Sequence, residues 1–213
     1  MADKPRFVIQ AAVEGIVDEM VIRRLIEHVG YFDLRGVYGK NGKDSLKQDI
    51  KRYNNAAKFT NWFILVDLDH DVDCAPGLIL EWLPQPAQFM FFRVAVRSIE
   101  SWLLADQENI SDFLGVHRKN IPVNPETLDD PKDFMIQLVR KSKRSDIRED
   151  MLPREGSGRK IGPAYSSRLI EFINHQRYGW RLDVAAKNSD SLLRCLNGFQ
   201  NWRKKCKKSP SPD

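Results

Sequence analysis

A chain of 213 residues, 42% hydrophobic and 30% charged, is long enough for one core with a modest second lobe and needs no covalent staples. A formal charge of +5 tolerates a polyanion without demanding one. No apolar run approaches the roughly 18 residues that span a bilayer, the opening MADKPRF carries no secretory pattern, and Cys74, Cys195 and Cys206 have no metal-ligand spacing. The expectation is a soluble protein with no membrane association, in a reducing, cytoplasmic compartment.

Phe7 to Val13 is apolar and β-rich, and it reads as a buried strand ending at Glu14-Gly15. A helix follows, in which Val21, Leu25 and Val29 repeat every four residues, as do Ile22 and Ile26, with Gly30 to close it. Asp33 to Tyr38 is a second strand, followed by the turn-rich Gly39-Lys-Asn-Gly42. From about Asp44, a possible N-cap, to Lys58, a helix places Leu46, Ile50 and Tyr53 on one side. Trp62 to Val66 is the clearest buried strand, with Asp67-Leu-Asp-His-Asp71 at its end. Phe89 to Val96 is a fourth strand, and Ser98 to Asp106 is helical. This alternation predicts an α/β fold with a mostly parallel sheet flanked by helices.

After about Glu108 strand-like runs disappear. Gly115 to Pro131 reads as a connector, and Asp130-Pro131 starts a helix to Lys141. Arg154 to Gly162 is a glycine-rich basic loop, and Ser166–His175 and Ser189–Lys204 are helical, with Ser189 as an N-cap. Residues 6–106 are thus expected to form the core, 107–204 a helical extension packed on it, and 205–213 a disordered basic tail.

Acidic residues recur at equivalent places in this topology: Glu14, Asp18 and Glu19 after the first strand, Asp67, Asp69 and Asp71 after the third, Glu100 and Asp106 after the fourth. The carboxyl ends of parallel strands share one edge, where ligands usually bind. Carboxylates that converge there need a cation, and oxygen donors without a Cys or His cluster favour Mg²⁺ or Mn²⁺. Asp67 and Asp69 point the same way if the segment stays extended. Acidic residues at strand ends also serve as plain turn formers. Arg97, one helical turn before Glu100, and Arg159 and Lys160 in the glycine-rich loop are the candidate phosphate contacts.

Val13-Glu-Gly-Ile-Val-Asp-Glu19 resembles the opening of Toprim domains in the style of the overcoming-lysogenization-defect (OLD) nucleases, and Val66-Asp-Leu-Asp69 resembles the Toprim DxD element. Val96–Asp106 and Lys160-Ile-Gly-Pro-Ala-Tyr165 are similar to signatures of a little-studied Toprim-like family often encoded beside ATPases in bacterial phage-defence loci. The family has Glu four positions after its first Glu; here that position is Asp18, with Glu19 as its competitor.

The resemblance implies a Toprim-like core and a Mg²⁺- or Mn²⁺-dependent nuclease acting on DNA or RNA as the effector of an anti-phage defence system. It further implies an ATPase partner encoded nearby, and a homo-oligomer is compatible with it. Glu14, Asp67, Asp69 and Lys160 are the expected catalytic residues. Glu14, Asp18, Asp67, Asp69, Asp71 and Glu100 are the expected metal ligands, and Arg97, Arg159 and Lys160 the expected substrate contacts. Two other readings compete: a non-catalytic Toprim-fold docking module for such an ATPase, and a phosphatase of the HAD type suggested by Asp67-Leu-Asp69. The Glu14-Gly15 element argues against the second.

Overall fold

A computed structural model describes residues 7–70, 74–176 and 178–208. It divides the chain into two compact units, one comprising Met1–Val96 with Leu193–Asp213 and the other Arg97–Leu192.

The first unit holds a four-stranded, wholly parallel sheet in the order β2-β1-β3-β4, built from β1 (Phe7–Val13), β2 (Phe32–Gly39), β3 (Asn61–Asp67) and β4 (Met90–Ala95). Three helices link these strands: α1 (Ile16–Val29), α2 (Lys43–Ala56) and α3 (Ala75–Trp82). The first crossover steps outward from β1 and the next two step the opposite way. Since crossovers are right-handed, the helices divide between the two faces. On one face, Leu46, Ile50 and Tyr53 of α2 and Leu78 and Trp82 of α3 pack on Trp62, Ile64 and Val66 of β3 and on Met90, Phe92 and Val94 of β4. The strand period of two turns Phe63 and Phe91 to the other face. There Phe199 lies about 5 Å from the rings of Phe32, Phe63 and Phe91. Burying each such ring contributes on the order of 1.5–3 kcal/mol.

Phe199 belongs to α10 (Asp190–Lys208), the last helix, which begins in the second unit and continues in the first. The helix runs through Lys208, beyond the point where the sequence suggests a tail. Ser189 caps its start, its hydroxyl accepting from the Leu192 amide at 3.2 Å.

Asp44 does not cap α2. Gly42 precedes the helix and Asp44 lies in its first turn, where a carboxylate favours the positive end of the helix dipole.

The second unit consists of helices and short turns among its described residues. They are α4 (Ile99–Leu104), α5 (Gln107–Leu114), α6 (Pro131–Arg140), α7 (Ser145–Met151), α8 (Tyr165–Asn174) and α9 (Leu182–Ala185), with single 3-10 turns at Arg118–Asn120 and Pro125–Thr127. The helix expected from Ser98 to Asp106 stops at Leu104 because Asp106 caps the next one, accepting from the Asn109 amide. Asp130 caps α6 with Pro131 at its first position, as the sequence suggests. No helix among the described residues is long and apolar enough to cross a membrane.

Candidate functional site

In this strand order β1 is the point where the connections reverse direction, so the crevice at the carboxyl ends of β1 and β3 is a topological switch point. Glu14 follows β1 and Asp67 ends β3. The two are linked directly: the Asp67 amide donates to Glu14 Oε1 at 2.8 Å. Both residues are half-buried.

The loop after β2 fixes the main chain here. Lys40 and Gly42 donate their amides to the carbonyls of Val13 (2.8 Å) and Glu14 (3.0 Å). Gly39, at φ +81°, lies so close to β1 that a Cβ would stand 2.3 Å from the Val13 carbonyl oxygen, so the loop can close over β1 only with glycine there.

Asp69 adopts φ +51°, a left-handed conformation that Asp tolerates better than most residues. The chain has therefore left the extended geometry that would align Asp69 with Asp67. Asp69 instead meets Lys43, the first residue of α2, whose ammonium donates to its Oδ2 at 2.8 Å and to the Leu68 carbonyl at 3.2 Å. Lys43 is the site residue that sequence reasoning missed. It stands 26 positions from Asp69 in a polar turn, and only the fold brings them together.

Asp18 and Glu19 have separate fates. Asp18 is buried in the first turn of α1, its Oδ2 in contact with the space a Gly15 Cβ would fill. Glu19 lies between Arg23 (2.7 Å) and Lys40 (3.0 Å). Partial burial opposes its charge, but the hydrogen bonds from Arg23 and Lys40 outweigh that and hold its carboxyl below the ordinary value. Of the two competitors, Glu19 has its charge met by the chain's own cations. His70 is exposed, and Asp71 lies outside the described residues.

The remaining expected residues belong to the second unit. Glu100 is buried and accepts from the Ser98 hydroxyl at 2.7 Å and the Tyr165 hydroxyl at 3.2 Å, with the Lys132 ammonium 3.9 Å away. The Tyr165 bond joins two sequence signatures, Val96–Asp106 and Lys160–Tyr165, that are more than fifty residues apart. Burial, then the neighbouring Glu100 charge, pushes the Tyr165 phenol well above its ordinary value, so it stays a donor to that carboxylate. Asp106, wholly buried, is gripped by the Arg181 guanidinium at 2.6 and 3.0 Å and by the Arg181 amide at 2.9 Å.

Arg97 sits at φ +59° just before α4. Arg159 and Lys160 are exposed on the 154–162 loop. Gly162 in that loop spends its close approach on the chain itself: a Cβ there would stand 2.4 Å from the Asp150 carbonyl oxygen, and its amide donates to Met151.

No group of three or more His, Cys, Asp or Glu side chains is gathered at ion-binding distance among the described residues. Mg²⁺ commonly binds one or two carboxylates and keeps several of its waters, and Glu14 with Asp67 offers such an all-oxygen pair. The donor set fits a hard divalent cation of that kind.

Compared with protein-family models, with curated proteins and with solved structures, the chain matches none. The fold defines its class, an α/β protein with a parallel sheet flanked by helices and a helical extension after it.

Proposed function

We propose that this protein is a Toprim-like, Mg²⁺- or Mn²⁺-dependent nuclease that hydrolyses phosphodiester bonds of DNA or RNA, serving anti-phage defence together with an ATPase partner. The observation that carries the reading is the Glu14–Asp67 pair at the switch point of a parallel sheet. The motifs around those residues supply the resemblance to Toprim domains.

Glu14 and Asp67 would hold the cation, with Asp18 and Asp71 as further candidate ligands, while Asp69 is paired with Lys43 and Glu100 is held by Ser98 and Tyr165 in the other unit. When bound, such an ion polarises the phosphodiester and makes a water nucleophilic near neutral pH. Glu14 keeps a second role open, as general acid or base toward water or the leaving oxygen. Lys43 fixes the Asp67–Asp69 turn and brings positive charge beside it, which lowers the cost of seating a phosphate among carboxylates. Arg97, Arg159 and Lys160 are carried forward as contacts to the nucleic-acid backbone, and charge contacts of that kind make binding strongly salt-dependent.

The test is incubation of the purified protein with plasmid, linear DNA and RNA, with Mg²⁺, Mn²⁺ or EDTA, alone and with the neighbouring ATPase. The nuclease reading expects metal-dependent cleavage that Glu14→Gln and Asp67→Asn abolish. No cleavage under any of these conditions overturns the activity, and cleavage that survives both substitutions overturns the site.

A second reading, a docking module for the ATPase without catalysis, draws on one observation. Lys43 lies on Asp69, and Lys40 and Arg23 lie on Glu19, so two candidate ligands already answer to internal cations.

A further inference from the structure

β4 is an edge strand of the sheet, paired with β3 alone. The amides of Trp62 and Leu68 donate to the carbonyls of Phe89 and Ala95, both at 2.9 Å. In a strand the backbone groups alternate sides, so the odd-numbered residues from Phe89 to Ala95 turn their N–H and C=O to β3. The Phe92 amide and the Met90 carbonyl therefore point away from the sheet.

Beside this edge runs a groove. Ile79 and Leu83, at the end of α3, form one wall, and Asn201, Trp202 and Lys205 of α10 form the other. Arg93 lies between them. Gly198 makes room for it, because a Cβ there would stand 2.3 Å from the guanidinium. Arg93 rests 4.0 Å over the Phe91 ring and donates one N–H to the Phe92 carbonyl at 2.9 Å, while its Nε is buried without a hydrogen-bond partner. Among the described residues no carboxylate lines the groove. Burial presses the Arg93 guanidinium below its ordinary value, against an upward pull from Cys195.

An edge strand, apolar walls and two cations, Arg93 and Lys205, describe a receptor for an added strand. A second copy of this chain is a poor occupant, since a twofold pairing of edges would bring Arg93 and Lys205 against their own counterparts. We propose that the β4 edge binds an extended, acidic segment of a partner protein by strand addition, its backbone pairing with Met90 and Phe92 and a carboxylate meeting Arg93. This surface does not depend on the nuclease reading.

The probe is a fluorescein-labelled peptide of alternating Asp and Val, compared with its Lys–Val counterpart and with an N-methylated Asp–Val version. Fluorescence anisotropy on the full chain should show saturable binding of the Asp–Val peptide alone. Arg93→Met, which keeps the apolar stem, should weaken it about tenfold. In the unsubstituted protein, the Phe92 amide resonance should shift on titration while that of Ile64, inside the sheet, stays put. That comparison decides the matter even if Arg93→Met fails to fold. Equal binding of the Lys–Val or N-methylated peptide, an unmoved Phe92 amide, or concentration-dependent pairing of the protein through this edge would overturn the proposal.

Discussion

The two units use their carboxylates in opposite ways. In the second, Glu100 and Asp106 are buried and closed in by hydroxyl, amide and guanidinium donors, so their charge holds helices together. In the first, Glu14 and Asp67 stand half-buried at the ends of parallel strands, joined by a backbone amide. Acidic residues that look equivalent along the chain thus separate by burial, Glu100 and Asp106 being buried and Glu14 and Asp67 only half-buried.

The strongest way to break this contrast is to substitute at the half-buried pair. Glu14→Gln retains an oxygen for the Asp67 amide, so its stability to urea should stay within about 0.5 kcal/mol of the parent. Cleavage should fall at least about a hundredfold, because a neutral amide is a poor ligand and no base. Equal loss of stability and activity would place Glu14 with the structural carboxylates.

On the closed side the expectation reverses. Asp106→Ala removes the cap of α5 and strands the Arg181 amide, and it should cost about 2–4 kcal/mol in urea unfolding. A cost below about 0.5 kcal/mol would show that Arg181 turns to solvent without loss.

Glu19 sharpens the comparison within the first unit. Its carboxyl is held below the ordinary value of 4.5 despite partial burial, by Arg23 and Lys40. A depressed value means stability that is present above 4.5 and is lost as pH falls through the lower, folded value. Urea midpoints of the parent should therefore drop more steeply than those of Glu19→Gln below that pH. Parallel acid limbs would contradict the pairing.

The smallest effect concerns reactivity alone. Burial pushes the Cys195 thiol up to about 12 and the Cys206 thiol up to about 11, while Cys74 is exposed. Ellman's reagent near neutral pH should label Cys74 quickly and the other two only on unfolding. Rapid labelling of Cys206 would show that the end of α10 does not hold to the sheet.

Much of the sheet was legible in the sequence because its signals are local. An apolar run such as Trp62–Val66 has one good solution, and four alternations of strand and helix have one usual architecture. The caps at Asp130 and Ser189 were legible for the same reason. The particular partners of α10 were not. Phe199 and Trp202 carry no sign in the sequence of which strands they meet, and only the far-off partners Phe32, Phe63 and Phe91 explain them.

At the candidate site, Glu14 and Asp67 were legible from their places after apolar strands. The turn of Asp69 toward Lys43 was not, because a left-handed residue and a contact 26 positions away leave no periodic trace. The burial of Glu100 under Tyr165 likewise depends on two segments 65 residues apart.

The most direct measurement is the anomalous difference density of a crystal soaked in Mn²⁺. This account predicts a peak bound by both Glu14 and Asp67 carboxylates at about 2.1 Å, absent in Glu14→Gln. A soaked crystal with no peak there, or with its Mn²⁺ on other residues, would contradict it.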